Sequence, residues 1–179
     1  MNNKNKQVAV IYKSKYGSTK RYAGWIAIKL DADLYEVSDI RDKDLKSYKT
    51  IIYGGPLCAG KIKGINIINK NYDKIKNKKI IIFAVGLASE KKEVIEKILE
   101  NNFSEEIRQN VQLFYLRGAF NYDELGLVDK VMMNMMKKVF LNKKEEELDD
   151  DARGMLDAFK NPVDFTEKSL VSDIVDAAY

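Results

Sequence analysis

The sequence predicts an α/β domain with five parallel strands between two layers of helices, in the order 2-1-3-4-5. Three observations predict it. Short apolar segments alternate with amphipathic helical ones in units of roughly thirty residues, the rhythm of a parallel sheet with crossover helices. The segments at Val8–Tyr12 and Lys78–Val85 are continuously apolar rather than alternating, as strands covered on both faces require. Four strands end in loops that contain glycine, at Gly17, Gly54–Gly60, Gly86 and Gly118. In an open α/β sheet, ligands bind outside the carboxyl ends of the strands where the strand order reverses. The loops after strands one and three would flank that crevice, with the loop after strand four beside it.

In chain order, Gln7–Tyr12 reads as strand one, and Ser18 or Thr19 as the cap of the next helix. In that helix Tyr22, Ala23, Ile26, Ala27 and Leu30 recur at helical spacing, and Trp25 beside them reads as core packing. Asp33–Val37 is strand two and Ser38–Tyr48 a polar helix or loop. Strand three, Lys49–Gly54, ends in Gly-Gly-Pro, which suits neither strand nor helix. Helices follow at Ile65–Ile75 and Glu90–Asn101, on either side of strand four at Lys78–Val85. Strand five is Val111–Leu116. Leu127–Leu141 is a methionine-rich helix, Lys143–Arg153 a solvated charge run, and Thr166 or Ser169 starts a last helix with Leu170, Ile174, Val175 and Ala178 on one face.

Composition narrows the chemistry. The 179 residues suffice for one domain with a sizeable core. Apolar residues make up 45% and charged residues 32%, and the net charge of +4 is spread along the chain, so charge implies no nucleic-acid partner. Cys58 is the single cysteine and histidine is absent, which removes disulfides, thiolate metal clusters and histidine-based catalysis. No metal site is expected. No apolar run is long enough to span a bilayer, and the polar N-terminal stretch lacks the core of a signal peptide, so a cytoplasmic setting is expected.

The loop after strand one is Ser14-Lys15-Tyr16-Gly17-Ser18-Thr19. A dinucleotide site would need Gly-x-Gly-x-x-Gly there and a P-loop would need Gly-Lys-Ser/Thr; neither is present. A receiver domain would need acids at the ends of strands one and three, which read Tyr12-Lys13-Ser14 and Tyr53-Gly54-Gly55. Hydroxyls, free amides and a helix start suit one phosphomonoester. By spacing alone, the same loop also describes a capped helix start with no ligand.

SKYGST after VAVIY resembles the FMN phosphate loop of the flavodoxin family, with Tyr16 at a usual hydroxyl position. IIYGGPLCAG resembles the second flavin loop and FAVGLAS the third. LRGAFNYDELGLVDKVMMNMMKK and the closing PVDFTEKSLVSDIVDAA resemble the branch related to menaquinone-dependent protoporphyrinogen dehydrogenase. The resemblance implies a flavodoxin-like three-layer sandwich with non-covalent FMN. Ser14, Lys15, Tyr16, Gly17, Ser18 and Thr19 would wrap the phosphate. Pro56, Leu57, Cys58, Ala59 and Gly60 would lie along one side of the isoalloxazine, and Val85, Gly86, Leu87 and Ala88 would border the other. Gly60 is the candidate for a carbonyl that turns toward the flavin, and Cys58 reads as small apolar filler. Phe120, Tyr122 and Lys130 are candidates for a substrate contact, with Tyr53 and Tyr115 in the core.

The function implied is a redox flavoprotein, an electron carrier or a small oxidoreductase. Its partner would be a redox protein or a quinone or porphyrin. The alternative is a module that keeps the fold without redox turnover. In Leu127–Leu141 the face of Val128, Val131, Met132, Met135 and Val139 is expected to pack against the sheet and neighbouring segments. A peripheral membrane contact, with Lys130, Lys137 and Lys138 beside headgroups, is the other use of such a helix.

Overall fold

Residues 7–179 are described by a computed structural model; the polar stretch before them lies outside it. The strands β1 (Val8–Tyr12), β2 (Asp33–Glu36), β3 (Thr50–Cys58), β5 (Lys79–Gly86) and β6 (Val111–Arg117) form a parallel sheet in the order β2-β1-β3-β5-β6. This is the predicted 2-1-3-4-5 order of the flavodoxin-like sandwich, and it reverses between β1 and β3.

The pleat divides the core in two. Ala9, Ile11, Ile51, Tyr53, Ile80 and Ile82 face one side. They pack with α2 (Asn66–Ile75), α3 (Lys92–Asn102) and α4 (Glu105–Arg108) through Ile68, Ile98 and Ile107. Val10, Ile52, Ile81, Phe83 and Val85 face the other. There they meet Tyr22 and Ile26 of α1 (Ser18–Leu30) and Ile174 of α7 (Ser172–Ala178). Trp25 is half-buried, edge-on to Tyr22 at 5.5 Å. Tyr53 and Tyr115 are core residues.

Several expectations need correcting. Strand three does not stop at Gly54. It runs through Gly55 and Pro56, paired to β5 as far as Pro56 opposite Val85, and then turns back as a hairpin with β4 (Lys61–Ile62). Gly54 lies beside Phe83, whose ring occupies the space a side chain would need. The hairpin turn is Ala59-Gly60, with φ of +48° and +76°, the positive values a two-residue connection requires.

The charge run is not simply solvated. It contains a 3₁₀ turn at Glu145–Glu147 and α6 (Asp150–Ala158), capped by Asp149, which accepts from the Ala152 N–H at 2.9 Å. The last helix begins at Ser172 after a 3₁₀ turn at Lys168–Val171, and Leu170 is exposed. The expected face of α5 (Leu127–Leu141) is not packed. Val128, Val131, Met132, Met135 and Val139 are exposed, and no residue of the helix is buried. α5 instead packs on α6 with its other face, in a lobe closed by the antiparallel pair β7 (Ala119–Phe120) and β8 (Val163–Asp164).

Asn102, buried at the end of α3, fixes the hairpin. Its Nδ2 donates to the carbonyls of Gly60 at 2.8 Å and Ile98 at 2.7 Å, and its Oδ1 accepts from the Ile62 N–H at 2.8 Å. Replacing Asn102 with Ala strands the Ile62 N–H, a group worth about 1–3 kcal/mol when buried unpaired. A loss of stability of that order is expected in urea denaturation.

Candidate functional site

The carboxyl ends of β1, β3 and β5 bring the three predicted loops to one edge of the sheet, at the reversal between β1 and β3. The first loop, 14–17, turns at Gly17, whose φ of +94° suits glycine. Gly17 is the N-cap of α1 and supplies no side chain, so neither Ser18 nor Thr19 is the cap. The Ser14 Oγ accepts from the Gly17 N–H at 3.2 Å and holds the turn. The Gly17 carbonyl receives the first helical bond, from the Arg21 N–H. The amides of Ser18, Thr19 and Lys20 precede that bond and have no acceptor in the helix.

Side chains of the loop are placed unevenly. Ser18 is buried and its Oγ accepts from the Ala119 N–H at 2.9 Å, so this hydroxyl ties the loop to β7. Thr19 is buried at the helix start. Lys15 and Tyr16 reach away to α5: the Lys15 Nζ lies 2.6 Å from the Asp129 Oδ2, and the Tyr16 hydroxyl donates to the same oxygen. The Tyr16 hydroxyl also accepts from the Gly126 N–H at 3.1 Å. The Lys15 ammonium, with the Tyr16 hydroxyl, holds the Asp129 carboxyl below its usual range, and Asp129 in turn raises Lys15. The first turn of α5 therefore roofs the loop after β1.

The second loop is the hairpin at Pro56, Leu57, Cys58, Ala59 and Gly60. Cys58 is half-buried in it as a free thiol. The Gly60 carbonyl is held by Asn102 and is not free to turn, which corrects the expectation for that residue. In the third loop Val85 is buried, and Gly86, Leu87 and Ala88 are half-buried. The Leu87 carbonyl accepts from Arg117 Nε at 3.1 Å and the Ala88 carbonyl from the Tyr115 hydroxyl at 3.0 Å.

Phe120, Tyr122 and Lys130 gather in the lobe instead. Phe120 is buried against Phe159, ring centroids 5.9 Å apart. Tyr122 packs on the same ring at 5.2 Å, and its hydroxyl accepts from Asn134 Nδ2 at 2.8 Å. Lys130 donates to the Asp123 carbonyl at 3.0 Å and lies 5.6 Å from the Tyr122 ring centre. A groove of about 320 Å³ runs between Phe120, Tyr16, Arg21 and Pro162.

Sequence reasoning missed four partners. Arg21 pairs with Asp164 at 2.7 Å and fixes β8 to α1. Asn102 clamps the second loop. Asp129 holds the first. Asp151 accepts from the Ser89 N–H at 2.8 Å and pairs with Lys91 at 2.8 Å, fixing the third. For Asp129 and Asp151 the available signal was an acid in the first turn of a helix. Among the described residues, no cluster of side chains could hold a metal. No helix there is long and apolar enough to cross a membrane.

These features define a flavodoxin-type α/β protein, with a glycine-capped loop at the reversal of strand order. A family model described as "Flavodoxin domain" matches residues 9–149, and the chain belongs to that family. No curated protein matches it. Among solved structures, it is similar to the flavodoxin, WrbA-like protein from Agrobacterium tumefaciens, at 18% identity over 68% of this chain and 86% of that one, with a TM-score of 0.47. It is also similar to a flavodoxin from the domain Archaea, at 14% identity over 96% and 97%, TM-score 0.43. A third is a flavoprotein in complex with FMN from Lactobacillus acidophilus, at 17% identity over 63% and 92%, TM-score 0.42.

Asp151 offers a pH test. Lys91 and the Ser89 amide lower its carboxyl from 3.8 to about 2. A carboxyl depressed on folding adds stability above its unfolded value, and that stability is lost as pH falls through the folded one. Between 3.8 and about 2 the protein should lose stability through this contact. In Asp151→Asn this part of the acid limb should be flattened, as read from urea midpoints against pH.

Proposed function

We propose that the protein binds FMN non-covalently and works as a small redox flavoprotein. The observation that carries the reading is the first loop: a left-handed glycine cap, no side chain capping the helix start, and first-turn amides left for an anion. Membership of the flavodoxin domain family supports it.

The residues fit the group. The Ser18, Thr19 and Lys20 amides and the Thr19 hydroxyl would hold the phosphate, with Ser14 keeping the turn in shape. No metal is needed, because the donors and the positive end of α1 carry the charge complementarity. The Cys58–Gly60 turn and the third loop would border the ring system. Asn102 keeps the first of these walls in one geometry, while Tyr115, Arg117 and Asp151 do so for the second. Bound FMN supplies the electron or hydride chemistry; the chain supplies position and electrostatics. Without histidine, proton movement at the site would go through water or the flavin's surroundings rather than an imidazole.

The resemblance of residues 116–138 to the protoporphyrinogen dehydrogenase branch supports a quinone or a porphyrin as the small-molecule partner. Reductive titration of the flavin-loaded protein, followed by assay with a quinone and with protoporphyrinogen, tests that choice.

Reconstitution with FMN should give a yellow protein with quenched flavin fluorescence. Failure to take up FMN at any concentration would overturn the reading. The double variant Ser14→Ala, Thr19→Ala should bind FMN more weakly in fluorescence titration. Thr19→Ala removes a hydrogen bond to a charged group, worth roughly 1.5–3 kcal/mol, and Ser14→Ala the neutral bond that holds the turn, worth about 0.5–1.5 kcal/mol. Unchanged affinity would place the phosphate elsewhere.

A further inference from the structure

α5 has two apolar faces, and the protein covers one. Met133, Met136 and Phe140 turn inward and are partly buried. Leu127, Val128, Val131, Met132, Met135 and Val139 form a second, continuous stripe, with relative exposures from 43% at Met132 to 84% at Leu127. Exposed apolar residues scattered singly need no explanation, but a stripe running the length of a helix marks a contact surface.

Charge around the stripe distinguishes its occupants. A lipid surface would call for free lysines along both edges. Here Lys130 and Lys137 are folded back over Tyr122 and Phe159 of the protein's own lobe, at 5.6 and 4.9 Å from the ring centres. The segments beyond the helix also carry acids, at Asp123 and Glu124 before it and Glu145, Glu146 and Glu147 after it. The charge is arranged along the axis instead. The N-terminal end carries Asp123, Glu124 and Asp129 with Lys130, a net negative charge; the C-terminal end carries Lys137, Lys138, Lys143 and Lys144 with Glu145, Glu146 and Glu147, a net positive one. Two such helices side by side and antiparallel set acid against base at both ends.

The apolar spacing fits the same arrangement. With the two-fold axis passing between Met133 and Asn134, Val128 comes level with Val139 of a second copy, and Met132 with Met135. In that register Glu124 comes level with Lys143. The four central positions of the stripe therefore pair among themselves, and Asp123, Glu124 and Asp129 come level with Lys144, Lys143 and Lys138, while Lys130 comes level with Lys137. Self-complementarity of this kind is what a two-fold interface demands. Unbranched methionines allow the two stripes to adjust to each other.

We infer that the outer face of α5 is a homodimer interface, in which two copies pair antiparallel about a two-fold axis near Met133–Asn134. Because Asp129 of the same helix holds Lys15 and Tyr16, the interface would sit directly behind the roof of the first loop.

Sedimentation velocity over a concentration series tests this with the full chain. The wild type should show a concentration-dependent dimer. Met135→Lys places a charge near the centre of the stripe and should leave a monomer at concentrations where the wild type is paired, with its far-ultraviolet circular dichroism unchanged. Charge exchange leaves the apolar stripe intact and guards against a folding defect in that variant. Glu124→Lys alone and Lys143→Glu alone should each weaken association severalfold, and the two together should restore it. A wild type that stays monomeric throughout would overturn the inference. So would a dimer that survives Met135→Lys in a folded protein, or singles and double that associate alike. Monomers that bind vesicles of anionic phospholipid through this helix would overturn it too, and would make the face a membrane contact.

Discussion

The central strands are buried on both faces, and the other elements follow from that constraint. Ile51, Ile52 and Tyr53 are successive residues of β3 with no exposed surface, as are Ile81, Ile82 and Phe83 of β5. Successive side chains point to opposite sides of a sheet. Each strand therefore needs a helical layer above and another below, and parallel crossovers supply them. The cost of the arrangement appears where the two faces crowd the backbone. Phe83 reaches across to β3 at a point where only a glycine, Gly54, leaves room for its ring. Beyond that point the sheet narrows, and the loops at its carboxyl edge take over.

Those loops are held from behind rather than by one another. The first is tied by Asp129 and by Ser18 to β7, the second by Asn102, and the third by Arg117, Tyr115 and Asp151. The side chains that shape the site thus come from α3, β6, α5 and α6, while the loops contribute mostly backbone. A ligand meeting such a surface would find amides in fixed positions, which limits the reorganisation needed on binding.

The sheet order and most element positions were legible because they depend on periodicity and apolar runs. Val8–Tyr12 and Lys79–Gly86 announce themselves in this way. What was not legible depended on partners far along the chain. Gly-Gly-Pro reads locally as a turn, yet β5 lies alongside and β4 folds back on it, so the strand continues. The charges of 143–153 read as solvent-facing, but Asp149 caps a helix and Asp151 holds the Ser89 amide. The helical spacing of α5 was correct, and its covering was not. A wheel of residues shows that a face is apolar and carries no information on what lies against it. The turn and helix start at 14–19 were legible, whereas the diversion of Lys15 and Tyr16 to Asp129 was not.

The excursion from Asn121 to Pro162 leaves the domain and returns at one place. Ala119 and Phe120 pair with Asp164 and Val163, making a two-strand stem. A loop whose ends are clamped together can change in length at little entropic expense, since closure entropy grows only slowly with residues added. The lobe carrying α5 and α6 is in that sense a cassette. Substitution or lengthening within it can proceed while the strands beneath keep their register. Only Asp129 and Asp151 carry a change in the lobe back to the loops they hold, so its outer face can vary while those two contacts are kept.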